Sequence, residues 1–305
     1  MKNKLIIRLS NNLGNQMFMY ASGFAIAKEL NRELFIDNET AYKSKNNFHI
    51  YNLDIFKFSA QIAPAELKYN GFTGYIKRKM LKNLDKVRSK KDFYVEKKDK
   101  NKITFFSKDF LNENFKQNLF LEGHFESEKY FDKYKNDIKK EFLFKENESF
   151  KNVEIYNKIK DSNSVSLCLR QHRFSERKRD ITIQDREDSE QFSLEQAKYV
   201  AKAIKIFKGK ISNPKFFLWS NDYKNISKYL PNEDFTIVST NSVDSDLFLM
   251  TQAKHFIVIP SSYNWWGCWL SQNPEKIVFR PSEKLFSKYK VNNRDFWPSN
   301  WNVID

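Results

Sequence analysis

Cysteine is nearly absent from this chain: two occur in 305 residues, Cys168 in an apolar run and Cys268 in a tryptophan-rich stretch. Neither sits at metal-ligand spacing, so a disulfide-stapled secreted scaffold and a zinc-finger module are both excluded. Reduced, buried thiols in a cytosolic protein are the economical reading. No apolar run approaches a membrane span, and residues 1–9 hold nothing as long as the apolar region of a secretory signal. Any membrane association is therefore expected to be peripheral. Internal repeats, low-complexity tracts and the GxGxxG dinucleotide fingerprint are missing too.

What is present is core material and positive charge. A hydrophobic fraction of 40% and an aromatic fraction of 16%, with 29 Phe, can fill two cores, and a chain of this length is expected to divide into two domains. Net charge is +15, and residues 77–102 hold twelve Lys or Arg against four Asp or Glu, just over half the excess. Such a segment suits an anionic partner, a membrane surface or nucleic acid. A solvated basic face with no partner fits equally, because Lys and Asn are abundant throughout. Aromatics interleave little with this charge and no nucleic-acid motif accompanies it, which favours acidic lipid.

The chain opens with a buried strand over residues 4–9, a loop from Ser10 to Gln16 that includes Gly14 and Asn15, and a helix over 15–30. Strand, Gly/Asn loop and helix form the first unit of a Rossmann-like half, although a plain tight turn would read the same way. Gly14 and the asparagines tolerate positive φ and so let the loop turn sharply. Further strands are expected at 34–37, 103–106 and 119–122. Residues 123–131 then place His124, Glu126 and Glu128 either at a cleft or in the first turn of a helix ending near Phe144. After a polar junction at 145–149 the pattern restarts, with strands at 165–170, 216–220, 235–238, 255–259 and 277–280 and a helix at 193–207. Residues 175–191, with ten charges, read as a long loop.

The organising stretch is 246–270. An amphipathic helix is followed by the apolar run 255–259, then by Pro260, Ser261 and Ser262 and a second helix carrying Trp265, Trp266 and Trp269. In parallel α/β sheets ligands sit beyond the carboxyl ends of strands, and a helix N-terminus there offers free N–H groups to an anion. Ser261 and Ser262 stand where a phosphate would be received; an ordinary N-cap is the plainer alternative. The tryptophans, at helical spacing, read as core rather than sugar platforms.

Several of these segments together resemble one family. LGNQMFMYA at 13–21, GHFESEKYF at 123–131, FFLWSND at 216–222, SSYNWWG at 261–267 and FWPSNW at 296–301 are similar, in order, to the α-1,2-fucosyltransferases of glycosyltransferase family 11. The resemblance implies an α/β, GT-B-like fold, two Rossmann-like domains facing a central cleft. It divides the chain into an acceptor-side domain at 1–148, a nucleotide-sugar domain at 149–290 and a closing segment at 291–305 that packs back on the first domain. It also implies inverting transfer of L-fucose from GDP-fucose to the 2-hydroxyl of a sugar such as galactose in a bacterial surface glycan like lipopolysaccharide. No metal and no cofactor take part, and no nucleic acid is expected as partner. The enzyme would be cytoplasmic, peripheral on the inner membrane face through 77–102. The sequence offers no convincing carboxylate or His cluster for a metal-held diphosphate, in keeping with that expectation.

Carried over residue by residue, Arg170 grips the β-phosphate, Asn15 and Gln16 line the site near the transferred sugar, and Asp246 accepts from the guanine edge. Ser261, Ser262 and Tyr263 lie beside pyrophosphate and base, with Asp222 a further donor-site candidate. Glu126 is the candidate base, with Glu128 and His124 as alternatives. The family's HxRRxD motif reads Cys168-Leu169-Arg170-Gln171-His172-Arg173 here. Gln171 and Arg173 remove a cation and an acid, so the donor or acceptor can differ from the family norm. Asn11 and Asn12 likewise replace a glycine pair.

Overall fold

β1 (Lys4–Arg8) buries Leu5, Ile6 and Ile7 in succession, the unbroken apolar pattern of a strand covered on both faces. The computed structural model describes residues 2–43, 48–101, 103–145, 148–151, 154–176, 178–231, 233–286 and 294–305. Its chain folds as two units, Met1–Lys145 with Arg294–Pro298, and Glu146–Asn293 with Ser299–Asp305.

In the first unit β1 is central to a wholly parallel five-stranded sheet. Beside it lie β2 (Glu33–Asp37) and β3 (Gln61–Ile62) on one side, β5 (Phe115–Glu122) and β4 (Lys91–Val95) on the other. Helix α1 (Leu13–Glu29) buries fourteen of its seventeen residues, because it is apolar on nearly every side. Helix α2 (Gly71–Leu84), by contrast, buries none, and α3 (Lys135–Glu141) buries only Ile138. Within the same unit the Phe296 ring lies 5.9 Å from Phe18, and Asp295 accepts from Phe106 N at 3.2 Å and pairs with Lys129 at 2.5 Å.

The second unit starts with α4 (Glu148–Lys151) and α5 (Glu154–Asp161), then β6 (Asn163–Leu169), α6 (Ile183–Lys210) and β7 (Pro214–Ser220). After these come α7 (Ile226–Tyr229), β8 (Thr236–Ile237), α8 (Val243–Thr251), β9 (His255–Ile257), α9 (Ser262–Leu270), β10 (Val278–Pro281) and β11 (Asn302–Ile304). Its sheet is also wholly parallel, in the order β11, β10, β9, β6, β7, β8. Trp265 and Trp266 are fully buried, and Trp301 packs 5.6 Å from Trp265, so these rings are core.

Several local expectations change. Residues 103–106 form no strand: Asp99 accepts from Asn101 N and Ile103 N, making a turn, and Thr104 forms an isolated bridge to Lys98. The expected loop at 175–191 becomes helical from Ile183, because Thr182 and Asp185 form a reciprocal capping box. Part of the basic segment is sheet: Asp85 accepts from Asp92 N and Phe93 N and leads the chain into the five residues of β4. Gly14 lies inside α1, and Asn11, at φ 61°, supplies the left-handed turn instead. The closing segment is divided, 299–305 joining the second unit because β11 pairs with β10. Lys102, the junction residues 146–147, Arg177 and the 290/291 boundary lie outside the described residues.

Candidate functional site

In the second unit β6, β7 and β9 run in parallel and their carboxyl ends feed three loops, which carry residues 170–173, 221–224 and 260–262. Gln196 of α6, fully buried, clamps the Arg170 peptide from both sides, accepting from its N–H at 3.1 Å and donating to its C=O at 2.8 Å. The Arg170 guanidinium, 27% exposed, pairs with Glu176. Glu176 also accepts from Asn221 Nδ2 at 3.1 Å. His172 at φ 56° turns the chain back so that Glu176 N donates to His172 O at 2.8 Å, which returns the carboxylate to Arg170.

The two departures from the family motif are both built into this framework. Gln171 is buried; its N–H donates to Asn221 Oδ1 at 2.8 Å and its Nε2 to the carbonyls of Asp222 and Lys224 at 2.6 and 3.1 Å. It rivets the β6 loop to the β7 loop. Arg173 donates to Pro260 O at 2.9 Å and lies 5.0 Å over the Phe192 ring, joining the β6 loop to the turn before α9. Asp222 accepts from Lys224 N at 2.9 Å and sits 3.0 Å from the His172 ring. The backbone hydrogen bond first, and then His172, hold its carboxyl below the usual range despite some desolvation.

Ser261 is the N-cap of α9 and Ser262 its first residue, so the first N–H groups of that helix lie beyond the end of β9. Buried Asn264 shapes the turn by accepting from Ile259 N at 2.8 Å. Asp246, in the first turn of α8, accepts from Thr240 N and Oγ1 at 3.0 and 2.9 Å, and burial pushes its carboxyl up. Tyr263 Oη donates to Val243 O at 2.6 Å, joining the start of α9 to the start of α8. The unit thus offers a guanidinium, a helix N-terminus and a carboxylate beside an aromatic ring at the carboxyl edge of one sheet. This set can neutralise a diphosphate and read a heterocyclic base. Among the described residues no group of three or more His, Cys, Asp and Glu gathers as metal ligands.

The first unit has its own polar cluster, around the loop between β1 and α1. Asn15 Nδ2 donates to Glu126 Oε1 at 2.6 Å, and Asn11 Nδ2 meets His124 Nε2 at 3.0 Å. The cluster thus contains two pairs, Asn15 with Glu126 and Asn11 with His124, while Glu128 lies 3.7 Å from Lys135. Gln16 corrects its donor-site expectation: it is fully buried and its amide is engaged at both ends. It donates to Asn11 O at 2.8 Å and Ile50 O at 2.7 Å and accepts from Asn52 N at 2.9 Å, so it holds the loop.

Sequence reading missed the supports beneath Glu126. A Cβ at Gly123 would collide with Glu96, whose carboxylate accepts from His124 N and Phe125 N at 2.8 and 3.1 Å. Burial pushes Glu96 up to about 7, against those two hydrogen bonds. Fully buried Phe125 takes φ 52°, a conformation that bulky residues rarely adopt. Also missed was a charge network where Arg8, Asp37 and Glu122 close three strands: Arg78 of α2 binds Glu122 at 2.5 Å, and Lys82 pairs with the same carboxylate. A charged residue ending each of the apolar runs LIIR, LFID and LFLE was the available signal.

A family model described as glycosyl transferase family 11 matches residues 1–305. An Escherichia coli α-1,2-colitosyltransferase is 26% identical over 306 residues, covering 99% of both chains. The E. coli O-antigen biosynthesis glycosyltransferase WbnK is 26% identical over 296 residues, 90% of this chain and 92% of that one. Among solved structures, the Bradyrhizobium fucosyltransferase NodZ co-crystallised with GDP superposes with a TM-score of 0.53 at 16% identity, covering 92% of this chain and 96% of its own.

Proposed function

Because this chain belongs to glycosyl transferase family 11, and so is a glycosyltransferase with a GT-B-like fold, we propose that it transfers L-fucose from GDP-fucose, with inversion and without a metal. The acceptor would be a 2-hydroxyl, such as that of galactose, in a bacterial surface glycan. The observation that carries this reading is Arg170, whose peptide is held by Gln196, at the end of β6 in the same unit as the N-terminus of α9. As the glycosidic bond to GDP breaks, negative charge grows on the β-phosphate; a preorganised guanidinium and helix N–H groups neutralise it there. Asp246 takes the guanine edge, and Tyr263 and Ser262 the base and pyrophosphate. Glu126, oriented by Asn15, removes the proton from the attacking hydroxyl. The names of the E. coli relatives support an O-antigen acceptor.

A second reading of the donor is supported by Gln171 and Arg173, which differ from the family motif and rivet the loops, and by the colitosyltransferase name of one relative. Colitose is L-fucose without its 3-hydroxyl, so a reshaped sugar pocket on the same GDP grip would accept it. Calorimetry with EDTA present separates the cases. Tight binding of GDP-fucose and not UDP-galactose supports the main reading; a clear preference for GDP-colitose moves the donor to the second; binding of UDP-galactose alone discards both. Glu126→Gln is expected to lower turnover at least about a hundredfold while leaving GDP affinity unchanged. Near-normal turnover would remove Glu126 from the base role.

A further inference from the structure

Helix α2 is fourteen residues long and contributes nothing to the buried core. Its contacts with its own unit run along one side. Gly74 lies so close to Tyr69 that a Cβ would stand 2.5 Å from the Tyr69 carbonyl carbon, Arg78 and Lys82 reach Glu122, and Asp85 caps the start of β4. Positions 74, 78, 82 and 85 recur at helical spacing and so define the inner face. On the opposite face stand Phe72, Ile76 and Met80, 77%, 50% and 53% exposed, with Tyr75 56% exposed on the flank and Val87 at 85% in the turn beyond. Single exposed apolar side chains need no explanation, but five on one outward-facing stretch do.

The basic residues divide along the same line. Lys91, Lys97 and Arg88 pair with Glu113, Asp109 and Asp92, as Arg78 and Lys82 do with Glu122. Lys77, Lys79, Lys86 and Lys90 are exposed and enter none of the ion pairs found among the described residues. The outward side therefore combines aromatic and aliphatic groups with unneutralised ammonium groups on long stems. A protein partner would have to match both; an anionic bilayer matches them by its nature. Phosphate headgroups meet the ammonium groups while the rings and aliphatic chains enter the acyl boundary, and the stems snorkel between the two.

We propose that α2 and the turn after it, residues 71–87, are an interfacial anchor that holds this protein on an anionic lipid surface. No helix among the described residues is long and apolar enough to cross a membrane, and this anchor lies in the interface plane. The inference is independent of the donor and acceptor assignments, since binding is read without turnover.

The test is co-sedimentation of the full chain with phosphatidylethanolamine vesicles containing phosphatidylglycerol, against phosphatidylcholine vesicles, at low and high salt. Anionic vesicles are expected to retain the protein at low salt and release it at high salt. Phe72→Ser with Ile76→Ser, and separately Lys79→Glu with Lys86→Glu, are each expected to lower partitioning about tenfold or more. Because these side chains are exposed, both variants should keep the parent melting temperature and its turnover on a soluble acceptor. Equal retention on neutral vesicles, or retention indifferent to both pairs of changes, overturns the proposal. So does self-association that Phe72→Ser abolishes, which makes the face a contact between copies, or an oligonucleotide shift depending on Lys79 where vesicles are not bound.

Discussion

At Arg170 the fold holds the peptide, with Gln196, and leaves the guanidinium partly exposed beside Glu176. A lysine there keeps the charge but loses the planar fork, so Arg170→Lys is expected to lower kcat/KM about a hundredfold, read by steady-state kinetics. Glu176→Gln keeps the shape and removes the countercharge. It should weaken GDP binding by calorimetry no more than about tenfold, because Glu176 orients the guanidinium without touching the phosphate in the proposed pose. The sequence could point to Arg170 through the motif. It could not point to Glu176 or Gln196, because Glu176 returns through a loop reversal at His172 that no local pattern announces and Gln196 reaches Arg170 from α6, twenty-six residues on. Glu96 makes a prediction in pH. Its folded value of about 7 lies above the ordinary carboxyl value of 4.5, so the folded state binds more protons between the two. The stability it contributes is complete below pH 4.5 and is lost as pH rises through about 7, a change of at most roughly 3 kcal/mol. Glu96→Gln should flatten this fall and raise the melting temperature at pH 8, since an amide oxygen can still accept from His124 N and Phe125 N.

At the scale of elements, buried strands and apolar helices were legible because parallel sheets covered on both faces leave unbroken apolar runs, as in β1 and β6. The polar ends of elements were not. Residues 175–191 looked like loop because charge dominated, yet Thr182 and Asp185 cap α6 and its first turns need bury little. Thr182→Ala is expected to cost about 1 kcal/mol and to raise amide exchange over the first turns of α6 alone. The pairing of α8 with α9 depends on a close approach: a Cβ at Gly267 would strike Met250. Gly267→Ala should therefore destabilise the second unit by about 1–3 kcal/mol in chemical denaturation, with Met250→Ala partly restoring it.

Across the whole molecule, the last twelve residues serve both units: Asp295 and Phe296 pack in the first, and Trp301 and β11 in the second. Deleting 299–305 is expected to speed amide exchange in β10 and α9 while sparing α1, whereas deleting 294–305 should speed it in both. By itself the sequence determined that there would be two α/β units with parallel sheets, since apolar periodicity and the spacing of loops are local properties of the chain. It also marked the loops at the carboxyl ends of β1 and β6, because Gly, Asn and Arg there stand out against apolar neighbours. Only tertiary structure decided which polar residues are supports and which stay accessible. Gln16, expected from the sequence at the donor site, Gln171, a departure from the motif, and Glu96, unremarked in one dimension, are all buried hydrogen-bonding struts. Lys82 and Lys79 are alike in sequence, yet one meets Glu122 and the other faces solvent. Burial and the partner across the fold fix those differences, and both depend on residues far away along the chain.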